Sequence, residues 1–347
     1  MFTLKKISTA ILLLSSLSWG MAYAIDEPPS TVNAKYVEPS ITKQLALNER
    51  ISHLYQRNQS DGYILQLLGD KTYFFQRHHY ATTFVVGDKG VLLFDPLENQ
   101  SQYIMAAIKQ VTNLPITAIV YSHGHYDHIG DAKIFADEAK RTSIKLRIIA
   151  SEKTANKLAY IKSKLPMPTE KVRWPNGKFK FENQTIELHG FKHAAHTNDH
   201  AVWLLVDKKV LHAADHMNPD QLPFWRFGGS ETFLYYEDNL KQSQQLDWKF
   251  INAGHGNIGT REDYKFYFKF LADLKKSVGN AIQSTPWGDG VDPDKVNTHA
   301  AFLTAWYNAV SKKAVDELRP TYGPYYGFEY TTPSNAEMVA LSLSEYR

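Results

Sequence analysis

Ile116-Thr117-Ala118-Ile119-Val120-Tyr121-Ser122-His123-Gly124-His125-Tyr126-Asp127-His128 is an apolar run that ends in a hexad holding three imidazoles and a carboxylate. The run has the β-branched and aliphatic content of a buried strand, expected over Ile116–Tyr121. In extended or turning backbone, residues two apart point the same way, so His123 and His125 can grip one ion while Asp127 and His128 turn toward another. Imidazole and carboxylate are ligands of zinc and its neighbours, and a chain with no Cys cannot build a thiolate site. A lone histidine would read as an exposed polar residue; this cluster directly after a strand reads as a metal site.

Outward from the hexad, strands and helices alternate. Thr72–Gln76, Thr83–Val86 and Val91–Phe94 carry strand composition, and Gly87-Asp88-Lys89-Gly90 between the last two reads as a turn. Tyr103, Ile104, Ala107, Ile108 and Val111 have helical spacing. After the hexad come a helix over Asp131–Lys140, a strand over Leu146–Ala150 and a helix over Glu152–Lys164. Strands are then expected over Gln184–Leu188, Ala201–Val206, Val210–His212 and Phe250–Ala253. Two successive series of this kind predict an α/β (α+β) fold in which two sheets pack together with helices outside, a four-layer αββα sandwich. The tail, with an amphipathic segment at Ala300–Leu318 and an aromatic stretch at Pro320–Tyr330, reads as a C-terminal helical appendage. The expected organisation is a signal peptide over 1–24, an N-terminal arm over 25–60, the sandwich domain over 61–275 and the appendage over 276–347.

The hexad resembles the H-x-H-x-D-H signature of the metallo-β-lactamase superfamily. Further landmarks of that family occur in its order: Asp95 closing Val91–Phe94, His196 in Ala195-His196-Thr197, Asp215 after Val210-Leu211-His212-Ala213-Ala214, and His255 in Ala253-Gly254-His255-Gly256. The resemblance covers about Thr72–Leu274. It implies a first metal held by His123, His125 and His196, a second held by Asp127, His128 and His255, and Asp215 bridging them. It also implies two Zn²⁺ as cofactors, with Fe or Mn compatible with the same donors, and Asp127 and Asp215 in catalytic roles. Asp95 is expected to orient the ligand loop. Two ions about 4 Å apart can share a hydroxide that attacks an ester-like bond in a lactone, thioester or related carbonyl substrate.

Other residues carry two readings. His193 competes with His196 as third ligand, although only His196 stands before the Thr and strand of the family pattern. His200 and His216 read as supporting hydrogen-bond partners of the ligands or as polar residues near a loop; His189 and His212 read as ordinary. His79 and Tyr80 precede a strand on the expected substrate side, where a substrate contact and a solvated turn compete. Pro223–Ser230 combines aromatics, one cation and two glycines; Phe224 and Arg226 are candidate contacts for an apolar acyl group bearing a carboxylate, against a packing role.

The first residues set Lys5-Lys6 before Ile11-Leu12-Leu13-Leu14 and end in Ala22-Tyr23-Ala24, the order of a cleavable export signal. A secreted or periplasmic protein is expected, starting near Ile25, with no membrane span after cleavage. Without Cys, its stability must come from a packed core, from bound metal, or from both. The formal charge is +3, and +1 without Lys5 and Lys6, so neither nucleic acid nor an anionic membrane is an expected partner; a small-molecule substrate is. Zinc β-lactamase is the alternative activity, disfavoured by Asp215 where such enzymes usually carry Cys or Ser. A non-catalytic periplasmic zinc-binding protein is a further alternative.

Overall fold

A computed structural model describes residues 27–52 and 62–346. The signal segment and the 60/61 boundary read from the sequence lie outside the described residues. In the arm, β1 (Lys35–Val37) and β2 (Glu49–Ile51) pair in parallel. The first large sheet runs in the order β3 (Ile64–Gly69), β4 (Thr72–Arg77), β5 (Tyr80–Val86), β6 (Val91–Phe94), β7 (Ile116–Val120), β8 (Arg147–Ser151) and β9 (Glu170–Val172). Neighbours are antiparallel as far as β6 and parallel from β6 to β9. Parallel pairing needs crossovers, here helix α1 (Ser101–Val111) between β6 and β7, and α2 (Tyr126–Ile129) with α3 (Ala132–Arg141) between β7 and β8. Helix α4 (Glu152–Tyr160) follows β8, its N-cap Ser151 accepting from Thr154 N–H.

The second sheet runs β10 (Asn176–Phe181), β11 (Gln184–Gly190), β12 (Ala201–Leu205), β13 (Val210–His212), β14 (Phe250–Asn252), antiparallel except for the parallel β13–β14 pair. Inner faces of the two sheets meet through Phe74, Leu92, Phe94 and Val120 from the first and Ile186, Leu188, Trp203 and Phe250 from the second. The outer face of the first sheet buries Phe84, Leu93 and Ile119 under Ile104, Ile108, Phe135 and Leu158 of its helices. The outer face of the second buries Val202, Leu204 and Ile251 under the remaining helices. The αββα layering expected from the alternation is the observed architecture.

Those remaining helices are α5 (Tyr236–Gln244), α6 (Arg261–Ser284), α7 (His299–Tyr322) and α8 (Phe328–Glu345). The sequence boundary at 275/276 falls inside α6, which continues because Leu271, Leu274, Val278 and Ala281 keep one face buried in a single core shared with the sheet and with α7 and α8. Helix α8 extends beyond the aromatic stretch read from the sequence, and Pro333 lies within it. Proline discourages a helix interior, but burial of Ala336, Val339 and Ala340 outweighs the lost backbone bond. Strand β3 escaped the sequence reading because most of its residues are buried on both faces and show no alternation.

The arm is pinned to the domain by polar contacts. Buried Gln66 accepts from Ser40 N–H and donates to the Lys43 carbonyl (both 2.9 Å). Arg50, fully buried, donates to Asp263 Oδ2 (2.6 Å) and Thr260 Oγ1 (3.0 Å), the two residues that also form the capping box of α6. Ile51 accepts from the Asn257 amide (3.1 Å). The arm therefore braces the loop that follows β14. Removing one partner of a buried ion pair strands the other, so Arg50→Ala is expected to lower unfolding free energy by about 3–5 kcal/mol. Urea unfolding checks this; a loss under about 1 kcal/mol would mean that the pair does not anchor the arm.

Candidate metal centre

The C-terminal ends of β6, β7, β13 and β14 open on one edge of the sandwich, and each delivers part of the cluster. Asp95 follows β6, the hexad follows β7, Asp215 lies just beyond β13, and His255 follows β14; His196 comes from the loop between β11 and β12. The structure brings all seven expected ligands together in two groups that share Asp215. In the first, His196 Nε2 lies 3.2 Å from His123 Nε2, 3.1 Å from His125 Nδ1 and 3.0 Å from Asp215 Oδ2. In the second, Asp215 lies 3.2 Å from His128 Nε2 and 3.0 Å from His255 Nε2, while Asp127 Oδ2 stands 3.6 Å and 3.8 Å from those nitrogens.

Charge accounts for why such a cluster calls for cations. Burial holds the His123 imidazole well below its usual range, so it stays neutral, the form that binds metal. Burial would also lower His128, but Asp215, Asp95 and Asp127 outweigh it and push it up to about 10. Burial would raise Asp215, yet His128, His196 and His255 keep it well below the usual carboxylate range. Without an ion, the carboxylates draw a proton onto a ligand; a bound cation supplies that positive charge instead. The donor set, all imidazole and carboxylate with Nε2 or Nδ1 turned inward, fits divalent metal in both groups.

A shell of hydrogen bonds aims these ligands. Ser122 Oγ meets His123 Nδ1 (3.0 Å), leaving Nε2 to face the cluster. The His79 carbonyl accepts from His255 Nδ1 (2.7 Å), which fixes the tautomer with Nε2 free. Asp95 is fully buried; it accepts from Ser122 N–H (2.7 Å) and His212 Nε2 (2.8 Å), and its Oδ2 stands 3.6 Å from His128 Nδ1. Its orienting contacts run to the backbone of the ligand loop more closely than to the ligand ring. Asp95 and Asp215 both adopt left-handed backbone, at φ 41° and 60°, a conformation that surrounding structure must enforce in a non-glycine residue. Gly254, at φ 78°, has no substitute: a Cβ there would stand 2.8 Å from His128 Cε1.

The residues with two readings separate in the structure. His193 is exposed and stacks on Tyr235 (5.0 Å between rings), away from the cluster. His200, held neutral by burial, donates from Nε2 to the Ala214 carbonyl (2.9 Å), next to Asp215. His216, pushed down to about 3 by burial and His196, bonds Ser243 Oγ (2.6 Å) and stacks on Phe191. His79 acts on His255 through its carbonyl while its ring is exposed. The Tyr80 ring lies 5.1 Å from His255, and the Phe224 ring lies nearly parallel to His255 at 6.3 Å. The Arg226 guanidinium sits 5.6 Å from the Trp225 ring.

Two supporting residues were not recognised from the sequence. His212, read there as ordinary, pairs with Asp95, and buried Asp199, not considered there, accepts from Gly124 N–H (2.8 Å) while bonding Lys157 Nζ (2.8 Å). Their proximity to ligands along the chain was the available signal, but it does not distinguish them from neighbours that point elsewhere.

A family profile described as the metallo-beta-lactamase superfamily matches residues 78–255, about half of the chain and all seven candidate ligands. The chain belongs to the metallo-beta-lactamase superfamily. A linear primary-alkylsulfatase of a Pseudomonas species is 38% identical over 66 residues, 18% of this chain and 12% of that protein. Metallo-beta-lactamase IND-1 of Chryseobacterium indologenes is 41% identical over 61 residues, 17% of this chain and 26% of that protein. The matched segments thus span well under two thirds of either relative. A solved metallo-beta-lactamase from Pontibacter korlensis superposes with a TM-score of 0.50 at 18% identity, covering 60% of this chain and 99% of that one, a likeness of fold. The geometry makes a direct prediction: His196→Ala lowers the metal bound per chain, whereas His193→Ala leaves it at the wild-type level. Elemental analysis of the two variants checks this, and loss of metal from His193→Ala alone would reverse the assignment.

Proposed function

We propose that this chain is a dinuclear zinc hydrolase that cleaves an ester-like bond, in a lactone, thioester or related carbonyl substrate. The observation that carries the reading is Asp215, one buried carboxylate shared by two complete groups of ligand atoms. His123, His125 and His196 would hold one ion, and Asp127, His128 and His255 the other. Ions bound there lower the pKa of water toward about 7 and polarise a scissile carbonyl. The chain's own contribution is to hold these donors in place and to handle charge around the substrate. Tyr80 keeps its proton, because burial and the nearby Asp127, Glu98 and Asp215 raise its phenol, so it can donate a hydrogen bond to an oxygen gaining negative charge. The Asp127 side chain, 33% exposed, is the ligand carboxylate more open to incoming substrate.

An alcohol or thiol leaving group departs more readily than an amide nitrogen, which must be protonated as it goes. This favours ester-like substrates over β-lactams. Sulfate esters are a second reading, favoured by one observation: three curated relatives are alkylsulfatases. Export to the periplasm is part of the proposal and is supported by the order of basic, apolar and Ala-x-Ala segments in the first 24 residues. Among the described residues no helix is long and apolar enough to cross a membrane.

The expected result on zinc-loaded protein is kcat/KM for an activated ester, thioester or lactone at least about tenfold above that for a chromogenic cephalosporin, with activity lost on chelation and restored by zinc. A cephalosporin turned over faster than every ester would make this a β-lactamase. An alkyl sulfate turned over fastest would select the second reading. Tight metal with no turnover across the panel would make it a binding protein.

A further inference from the structure

The loop over Pro223–Gly229 has a backbone that its own residues do not favour. Arg226, Phe227, Gly228 and Gly229 are consecutively left-handed, at φ 50°, 52°, 75° and 69°. Glycine accepts this readily, but Arg and Phe do not, so the conformation must be held by other bonds. Backbone bonds within the segment, Phe227 N–H to the Phe224 carbonyl and Gly229 N–H to the Trp225 carbonyl (both 2.9 Å), hold part of it, and α8, more than a hundred residues away, adds the rest. Asn335, fully buried, accepts from Phe227 N–H at Oδ1 (2.9 Å) and donates through Nδ2 to the Pro223 carbonyl (2.8 Å), while Ser334 Oγ accepts from Arg226 N–H (3.2 Å). Phe227 is buried against Phe233 and Tyr236, with ring centres 4.8 and 4.9 Å away. Gly228 presses on the metal-centre backbone: a Cβ there would lie 3.1 Å from the Asp215 carbonyl oxygen.

Holding the loop this way leaves two large apolar side chains in water, and one of them, Phe224, lies beside His255. Phe224 is 48% exposed and Trp225 is 51% exposed, and the Phe224 ring lies within 8° of parallel to His255. Both the oxygen and the nitrogen of a buried amide are committed to holding this apolar surface in place. Apolar surface fixed next to a reacting group gains free energy when a substrate covers it. Two exposed aromatic side chains, consecutive in the chain, offer more apolar surface than one ring, which suits a hydrocarbon chain laid against them.

We propose that Phe224 and Trp225 form a wall that binds a linear hydrocarbon chain of the substrate, and that Asn335 is the positioning residue that sets this wall against the metal centre. The wall's use in turnover rests on the hydrolase reading above. The C-terminal helices then determine substrate preference as well as adding to the core.

The test is a series of p-nitrophenyl esters from acetate to octanoate on zinc-loaded full-length protein. For the wild type, kcat/KM should rise about twofold per added methylene, short of the roughly fourfold that full burial would give. Phe224→Ala and Trp225→Ala should each flatten that slope, mostly through KM. Asn335→Ala should flatten it too while its metal content stays at the wild-type level, a combination that general loss of structure would not produce. A slope unchanged in all three variants, or a wild type indifferent to chain length, overturns the proposal while leaving the hydrolase reading intact. If Asn335→Ala does not fold, the two exposed positions carry the test. If no ester is cleaved, the hydrolase reading fails separately, and the wall is tested by calorimetric titration with octanoate and butanoate. Octanoate binding that is tighter than butanoate binding and lost in Trp225→Ala supports the wall; equal or absent binding of both overturns it.

Discussion

Asp215 is the interaction on which the rest of the site depends. One buried carboxylate sits within 3.4 Å of ring nitrogens from His123, His196, His128 and His255, which reach it from three different loops. A carboxylate can occupy such a place only if positive charge surrounds it, because an uncompensated buried charge costs several kcal/mol. Bound cations would meet that need and leave the imidazoles neutral. Without ions a protonated His128 meets part of it, with the sheets and loops already holding the donors within reach of one another.

Positioning that carboxylate places demands on the fold. The strand ends that carry Asp95, the hexad, Asp215 and His255 must lie on one edge, which the parallel pairs β6–β7 and β13–β14 ensure by running in the same direction. The strained backbone at Asp95 and Asp215 is then held by neighbours: Asp95 by Ser122 and His212, and Asp215 by Ala253, whose carbonyl accepts its N–H at 2.9 Å. Gly254 lets the β14 loop close against His128. Imprecision in any of these elements would shift a ligand by a fraction of an ångström, enough to matter for a metal site.

The outer parts of the chain converge on the same centre from behind. The arm brings Arg50 and Ile51 to the loop and capping box that follow His255, and α8 brings Ser334 and Asn335 to the loop that follows Asp215. Each is a polar contact satisfied inside the protein, where leaving one partner unmade is costly, so each ties a remote segment firmly to one conformation. The segments outside the sandwich are thus structurally continuous with the site.

The candidate donors that the structure gathers and the layered fold were legible in the sequence, because metal chemistry restricts donors to a few residue types and buried strands restrict composition and periodicity. His123, His125, Asp127 and His128 announced themselves by spacing, and Asp95, His196, Asp215 and His255 by their match, in order, to the landmarks of the superfamily. Tertiary structure alone decided that His196 faces the cluster while His193 stacks on Tyr235, that His79 serves through its carbonyl, and that His212 and Asp199 support the ligand loop. It alone decided that α6 runs unbroken through residue 275 and that Asn335 holds the loop at Phe227. Spacing along a chain reports which side chains can share a local face. It carries no record of which distant backbone groups will meet, since those contacts are chosen by packing across the whole core.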